Sequence, residues 1–528
     1  MPSEPTPSAP PRRGLTLVAM TGSLAMIFID ITVVGVALPR IGADLAMDET
    51  TLPWVVNAYL LAMASLVALG GRAADRLGRV RAFVTGVLVF AGASIACGAA
   101  TSAAWLLAGR ALQGAGAALM QPASSAIVVG SYSPGERGKA MAIYVGIPLI
   151  FMVLGPMIGG ELAQQASWRW CFWVNVPVAA AALALTVIAK PIDAGAGSRA
   201  MPRAGARTSD SGSSKPSEDG TPSRRRSIDW LGAAMLLLGL PALVLGIMQG
   251  AAWGWSSVGT LALLVGGGAL VVLFTKRQWS RRDPLLAVSL FRDRGLLANA
   301  IVLFLMQFAM AGLVVQGSVY AQRVLDFDPR QTGLSLLPLL VPTLFVVHVA
   351  GRWYDRVGVA IPTTIGTALT TSGIAISALG AWMRSYPVIA VGMAVMSTGI
   401  GLVMSPTNTD SLSRVPAETR AQVSGLIQTM RHVGGAVGVA VIGAAVLTTQ
   451  SMLDSRGSLE APSGADSLAT ATAVGYAVGS ISCAGALVAV LVLHGRRAGP
   501  RALGAAARST APAAPAPGAD GGAETASP

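Results

Sequence analysis

Charge is scarce in this chain. Only 12% of its 528 residues are Asp, Glu, Lys or Arg, against 53% hydrophobic, and the mean hydropathy is +0.61. A soluble globule of this size could not cover its surface with so few polar groups. Histidine is limited to His348, His432 and His494, which are too dispersed to form the clustered His/Asp/Glu site of a membrane enzyme. Cys97, Cys171 and Cys483 lie far apart in or beside apolar segments, so neither a disulfide framework nor a zinc site is indicated. No Gly-x-x-x-x-Gly-Lys-Ser/Thr phosphate loop is present, which disfavours ATP as an energy source. Lysine is nearly absent, four against 34 arginines, a bias that with abundant Ala and Gly suits a G+C-rich bacterial genome. The net charge of +13 would suggest nucleic acid in a soluble protein. Here the basic residues sit in short loops between apolar runs, where they orient helices instead.

What the chain does contain is apolar runs of about 20 residues, the length that crosses ~30 Å of hydrocarbon. They fall near 14–38, 52–72, 82–100, 103–129, 138–160 and 171–189, then near 228–250, 258–276, 296–319, 332–353, 361–381, 386–409, 419–448 and 473–494. The expected fold is an all-α polytopic membrane protein with about fourteen spans. Residues 1–13 are expected to be a disordered lead and 495–528 a disordered Ala/Pro/Gly tail. Residues 190–227 carry eight basic residues ending in Arg224-Arg225-Arg226 and read as a cytoplasmic linker between a six-helix half (14–189) and the remaining spans. The first apolar run is longer than a signal-peptide core and carries Asp30, so it should remain as the first span. With the N-terminus inside, cytoplasmic segments collect 30 of the 38 basic residues. Both termini are therefore expected in the cytoplasm of a bacterial cell, with the protein multi-pass in the cytoplasmic membrane.

The organising stretch is "GGRAADRLGRVR", Gly70 to Arg81. It places five Arg or Asp side chains between two oily runs and reads as a tight cytoplasmic hinge between helices 2 and 3; an ordinary basic loop is the simpler alternative. An echo favours the hinge: Gly71-Arg72, Asp75-Arg76 and Gly78 recur at Gly351-Arg352, Asp355-Arg356 and Gly358, an offset of 280 residues. "PGER" at Pro134 and "PAET" at Pro416 repeat at an offset of 282. The second half thus begins at the ninth span, at residues 277–494, and residues 228–276 are two inserted helices. Parallel repeats with a substrate site between them are a transporter design.

With the hinge, several further motifs resemble the major facilitator superfamily, in its fourteen-span drug:proton antiporter branch. These are "DITVVGVALPRI" from Asp30, "RALQGAGAA" from Arg110, "GPMIGG" from Gly155, "WRWCFWVNVP" from Trp168 and "SGLIQTMRHVGGAVG" from Ser424. Gly35 and Phe151 depart from the branch's usual asparagine and small residue. The resemblance implies efflux of drugs or antibiotics in exchange for protons, with Arg110 in proton coupling and Asp75 meeting the start of helix 13; an exporter of one self-made metabolite, or a proton-independent facilitator on the same fold, is the nearer rival, and a monomer driven by the proton gradient without a cofactor is expected. Gly71, Asp75, Arg76, Gly78, Arg79 and Asp355 would then serve conformational change.

The residues support a physical reading of their own. Asp30 is the one acidic residue evident deep in a span, where a carboxylate costs ~2.5–3.5 kcal/mol. Counted from the expected outer ends, Asp30 and Arg110 are both ~10–12 Å deep. They are either a proton-handling pair, the cation and desolvation biasing the carboxyl in opposite senses, or a static brace, or two groups that each meet a water-filled cavity separately. Gly155, Pro156, Gly159 and Gly160 combine a kink with small-residue packing and suit either a gate or routine helix contact. Gln113, Gln121, Gln307, Gln316 and Asn408 are candidate cavity-lining groups among methionines and aromatics, suiting hydrophobic solutes, cationic ones included. Arg431 either holds a backbone carbonyl or an anionic substrate group, or snorkels to the cytoplasmic face. His348 reads as a packing residue and Glu161 as a rim residue. No catalytic or metal-binding set is present. The topology is checked by a reporter active only in the cytoplasm. It should be active when fused after Lys190, after Lys276 or at the C-terminus and inactive within 450–470; activity in that last loop contradicts fourteen spans.

Overall fold

A buried peptide group in lipid must find its partner within its own segment, so apolar runs of this length become helices. The computed structural model describes residues 12–48, 50–132, 136–191, 229–281, 284–415, 419–456 and 464–493. Among them are no β-strands and fourteen membrane-length helical segments. The first six are α1 (Arg13–Asp44), α2 (Trp54–Leu77), α3 (Arg79–Gly98), α4 (Ala103–Ser131), α5 (Arg137–Gln165) and α6 (Trp170–Ala189). The inserted pair is α7 (Trp230–Trp253) and α8 (Val258–Ser280). The last six are α9 (Arg294–Arg323), α10 (Pro329–Val357), α11 (Ala360–Trp382), α12 (Tyr386–Ser413), α13 (Arg420–Arg456) and α14 (Gly464–Leu493). Thirteen are recognisable as spans from length and hydropathy alone. The other, α4, has 29 residues but carries Arg110, Gln113 and Gln121.

Several helices outrun the apolar stretch that announces them. The 37 residues of α13 reach ~55 Å at 1.5 Å per residue, well past the hydrocarbon. Helical hydrogen bonding continues through polar residues into the interface, where hydropathy no longer marks it. Two spans are broken. In α6 the turn Trp170–Trp173 is separated from Asn175–Ala189 at Val174. In α10, Pro329–Ser335 is separated from Leu337–Val357 at Leu336, where Pro338 in the first turn of the second piece has no N–H to continue the ladder. A capping box starts α10: Asp328 accepts from the Gln331 backbone at 2.7 Å and Gln331 Oε1 accepts from the Asp328 backbone at 3.0 Å.

The repeat read from the hinge is present in the packing. In the first half α1 packs on α5 and α6, α4 on α2 and α3, and α3 on α6; in the second, α9 packs on α13 and α14, α12 on α10 and α11, and α11 on α14. One core centres on Met20, Tyr59, Phe83 and Phe90 and reaches Val315, Leu426 and Val439 of the second half; the other centres on Met306, Leu313, Met396 and Tyr476 and reaches Val36 and Met152 of the first. The hinge glycine Gly78 and its echo Gly358 both adopt positive φ, +96° and +79°, which a side chain would strain. The α7–α8 pair packs on α2 and α13. At its inner end Asp229 caps α7 through the Gly232 N–H and binds Arg277, Gln278 and Arg281. Burial pulls this carboxyl's pKa upward, but the Arg277, Gly232, Gln278 and Arg281 interactions together hold it below the usual carboxylate value.

The halves meet through α2 with α13, α1 with α9, and α5 with α10. Ends are called outer and inner after the arginine-based orientation. At the outer end Gln322 donates to the Val36 carbonyl at 3.0 Å and Arg330 lies 3.4 Å from Glu161, so Glu161 does sit at the rim. A Cβ on Gly160 would collide with the Pro329 carbonyl, and one on Gly333 with the Pro156 carbonyl. The seam between α5 and α10 therefore depends on absent side chains. It involves chiefly the outer piece Pro329–Ser335, while α4 makes no extended contact with α12. At this outer end the described halves are closed against each other. Gly160→Leu should disfavour this closed seam by ~1–3 kcal/mol through overpacking, about 5- to 150-fold in population. A cysteine placed at Gln316, in the outer recess between the halves, should then label faster with a thiol reagent; unchanged labelling would remove the seam from the gate.

Candidate functional site

In the first half the structure brings Asp30 of α1 and Arg110 of α4 into direct contact, with Arg110 Nη1 donating to Asp30 Oδ2 at 2.5 Å and both side chains fully buried. Two amides complete the shell around the carboxylate. Gln113 Nε2 donates to Asp30 Oδ1 at 2.7 Å and Asn175 Nδ2 to the same oxygen at 3.1 Å. Every recorded partner of Asp30 is a donor, an arrangement that suits the ionised acid. Arg110 is held in turn by the Val55 carbonyl at 2.7 Å and Gln113 Oε1 at 2.7 Å, with its guanidinium carbon 4.5 Å from the centre of the Tyr59 ring. Gln113 also donates to Ser94 Oγ at 2.8 Å. Buried Arg110 Nη2, Asn175 Oδ1 and the Tyr59 hydroxyl have no hydrogen-bond partner.

Local sequence explains the convergence. Arg110 and Gln113 are three residues apart, hence on one face of α4, and that face packs on α2 and α1. Asn175 opens the second piece of α6 immediately after the break at Val174. Its amide is aimed at α1 by a helix that starts there. Gln113, expected in the substrate cavity, is instead part of the ion-pair shell and fully buried.

The other expected sites scatter. Gln121 is partly buried, with a buried Oε1 that has no partner. Gln316 faces the outer recess with Leu38, Arg323 and Gln450. Asn408 donates to the Met404 carbonyl at 2.8 Å within its own helix. Gln307 and Arg431 line an inner pocket with Met306, Met310, Ile400 and Met404. Arg431 lies eleven residues from the start of α13, ~16 Å along it, and faces this pocket rather than the cytoplasmic rim. His348, read as a packing residue, is exposed on α10. Around the hinge, Gly71 approaches Pro122, Arg72 donates to the Pro284 carbonyl, Arg79 donates to the Ala126 carbonyl at 3.5 Å, and Arg76 ends α2. The Asp75 side chain and the opening of α13, where a hinge contact was expected, lie outside the described residues. Asp355 is exposed at the inner end of α10. Gly155 and Gly159 abut Thr32 and Val33 of α1, while Pro156 meets Gly333.

Sequence reasoning missed four groups, three of them around the ion pair. Ser94, Tyr59 and Asn175 belong to the Asp30 shell, and only Asn175, a lone amide in an apolar run, carried a visible signal. Asp410 was passed over because α12 was expected to end at residue 409, whereas it runs to Ser413. There Asp410 accepts from Asn299 at 2.7 Å and from Arg414 at 2.5 Å, so the second half also holds a largely buried carboxylate.

Two halves of six helices, repeated in packing around a seam and carrying a buried ion pair, define a membrane transporter. The chain belongs to the Major Facilitator Superfamily, whose family model matches residues 20–439. It is a multi-pass transporter and not an enzyme. It is 31% identical over 430 residues to the multidrug resistance protein Stp of Mycobacterium tuberculosis, covering 81% of this chain and 75% of that one. It is 31% identical over 435 residues to the tetracenomycin C resistance and export protein of Streptomyces glaucescens, with the same coverage of 81% and 75%. To the puromycin resistance protein pur8 of Streptomyces alboniger it is 32% identical over 442 residues, covering 82% and 81%. The fold is similar to that of a bacterial homolog of the human lysosomal transporter Spinster in an inward-facing, unoccupied conformation, with a TM-score of 0.62 at 16% identity, covering 93% of this chain and all of that one.

Removing Arg110 leaves the buried Asp30 carboxylate without its counter-ion. Arg110→Met should therefore cost ~3–5 kcal/mol, whereas the double variant Asp30→Asn with Arg110→Met should recover most of it. Thermal unfolding of the purified proteins measures both; a double variant no more stable than Arg110→Met would show that the pair is not the energetic unit described.

Proposed function

We propose that the chain exports hydrophobic small molecules, drugs or antibiotics among them, across a bacterial cytoplasmic membrane in exchange for inward-moving protons, with both termini cytoplasmic. It works as a monomer, without a bound cofactor, and Asp30 is the group that accepts and releases the proton. The observation that carries this reading is the Asp30 carboxylate, the one buried within the spans of the first half among the described residues, in contact with Arg110 and Gln113 of α4 and Asn175 of α6. A group so placed feels any rearrangement of α1 against α4 and α6. Separation from Arg110, Gln113 and Asn175 would remove the donors that suit the anion and leave a desolvated acid, which favours the neutral form. Conformation and protonation are thereby linked. The names of the related proteins, which concern resistance and export, support outward transport.

A second reading has one observation in its favour. Asp30 and Arg110 are both completely buried, as a permanent brace would be, and a facilitator independent of protons could use the same fold. Asp30→Asn separates the two. In the proton-exchange reading it fixes the neutral form at nearly the same volume, so the protein reaches the membrane in normal amount while dye efflux loses its dependence on the pH gradient. In the brace reading it strands Arg110, and membrane abundance falls. Normal abundance with full gradient-driven efflux would remove Asp30 from the mechanism.

A further inference from the structure

Two arginines lie inside the described spans away from their ends, and they are treated differently. Arg110 has Asp30 as counter-ion, two acceptors besides and an aromatic face. Arg431 has one recorded partner, Gln428 Oε1 at 3.3 Å on its own helix, a neutral amide. A cation at this depth is costly without an opposite charge. The pocket around it is lined by Leu303, Met306, Gln307, Met310, Ile400 and Met404. One turn further along α13, Gly435 lies beside Gln307 and Leu60 of α2, so this face of α13 is turned toward the seam between the halves. Among the described lining residues there is no carboxylate, Asp30 being sealed within the first half and Asp410 held by Asn299 and Arg414.

We propose that this pocket is a substrate subsite in which Arg431 binds an anionic group of an amphiphilic organic solute while the three methionines hold its apolar body. The proposal rests on the reading of the chain as an exporter and names the class of solute it selects. The guanidinium offers a planar fork that matches a carboxylate or a similar oxyanion through paired hydrogen bonds. Flexible, polarisable thioethers adapt to apolar bodies of different shape. The missing counter-charge is then supplied by the solute. The same field repels cations, so the expectation that cationic solutes are included is not carried by this pocket.

The test compares dyes of similar apolar skeleton and opposite charge. Binding of anionic fluorescein and cationic rhodamine 6G to the purified full chain in detergent is read by fluorescence polarisation, with uncharged Nile red as the control. The wild type should bind the anion at least about tenfold more tightly than the cation, equivalent to ~1.4 kcal/mol. Arg431→Gln should abolish that preference while leaving Nile red within about twofold, and Arg431→Lys, which keeps the charge, should retain part of it. Equal or tighter binding of the cation by the wild type overturns the proposal whether or not the variants fold. Anion binding unchanged in Arg431→Gln overturns it as well. A phospholipid phosphate has the same chemistry, so displacement of fluorescein by added phosphatidylglycerol would assign the site to lipid and overturn the solute assignment. Efflux from cells is read separately: export of the cation but not the anion defeats this proposal and leaves the exporter reading standing, whereas export of no dye defeats that reading instead.

Discussion

Asp30 and Arg110 are 2.5 Å apart with no exposure to solvent, and much of the first half is arranged to make that tolerable. A carboxylate and a guanidinium removed from water each lose hydration worth several kcal/mol, which their mutual attraction offsets only when the remaining donors and acceptors are also met. The chain meets most of them, Arg110 Nη2 excepted, with side chains or carbonyls from α1, α2, α3, α4 and α6, including Val55, Ser94, Gln113 and Asn175. Five of the six helices of this half thus contribute to one polar cluster inside an apolar body. Movement of any one of them relative to the others alters the partners of the Asp30 carboxylate, which is the basis on which we propose that a conformational change is linked to a proton.

The halves are built alike but not equipped alike. Corresponding helix pairs pack in both, and both hinge regions use a glycine at positive φ. Among the described residues the deep ion pair is present only in the first half. The second half has its carboxylate, Asp410, near the inner end of α12, tied to Asn299, Arg414 and, through Arg414, Asp293. It places Arg431 without an acid in a pocket facing the seam. The outer contact between α5 and α10 relies on Gly160 and Gly333 letting backbones touch, which gives a tight closure with little side-chain interlocking to undo.

The fold was legible because lipid enforces a strong rule: a run of about 20 apolar residues becomes a spanning helix. The six-two-six arrangement came from a hinge motif recurring at a fixed offset. Helix ends were less legible, since hydropathy marks the hydrocarbon and not the hydrogen bonding, which is why α12 was expected to stop one residue short of Asp410. The meeting of Asp30 and Arg110 was suggested by matched depth, although α1 extends to Asp44, six residues beyond the expected end. The role of Gln113 was not legible, because an amide on a membrane helix has the same sequence signature whether it faces a cavity or an ion pair. Only its three-residue spacing from Arg110 could have indicated the shared face. Ser94 and Tyr59 gave no signal, since small hydroxyl and aromatic residues are common in any span.

The central claim is that Asp30 exists in both ionised and protonated forms during the working cycle. Infrared difference spectroscopy of the purified transporter in lipid, recorded as the pH is lowered across the working range with and without a transported dye, observes this directly. The account predicts a carboxylic-acid C=O stretching band that appears on acidification, changes when the dye binds, and is absent in Asp30→Asn. A difference spectrum identical in the wild type and Asp30→Asn, in a protein that still exports the dye, would contradict it.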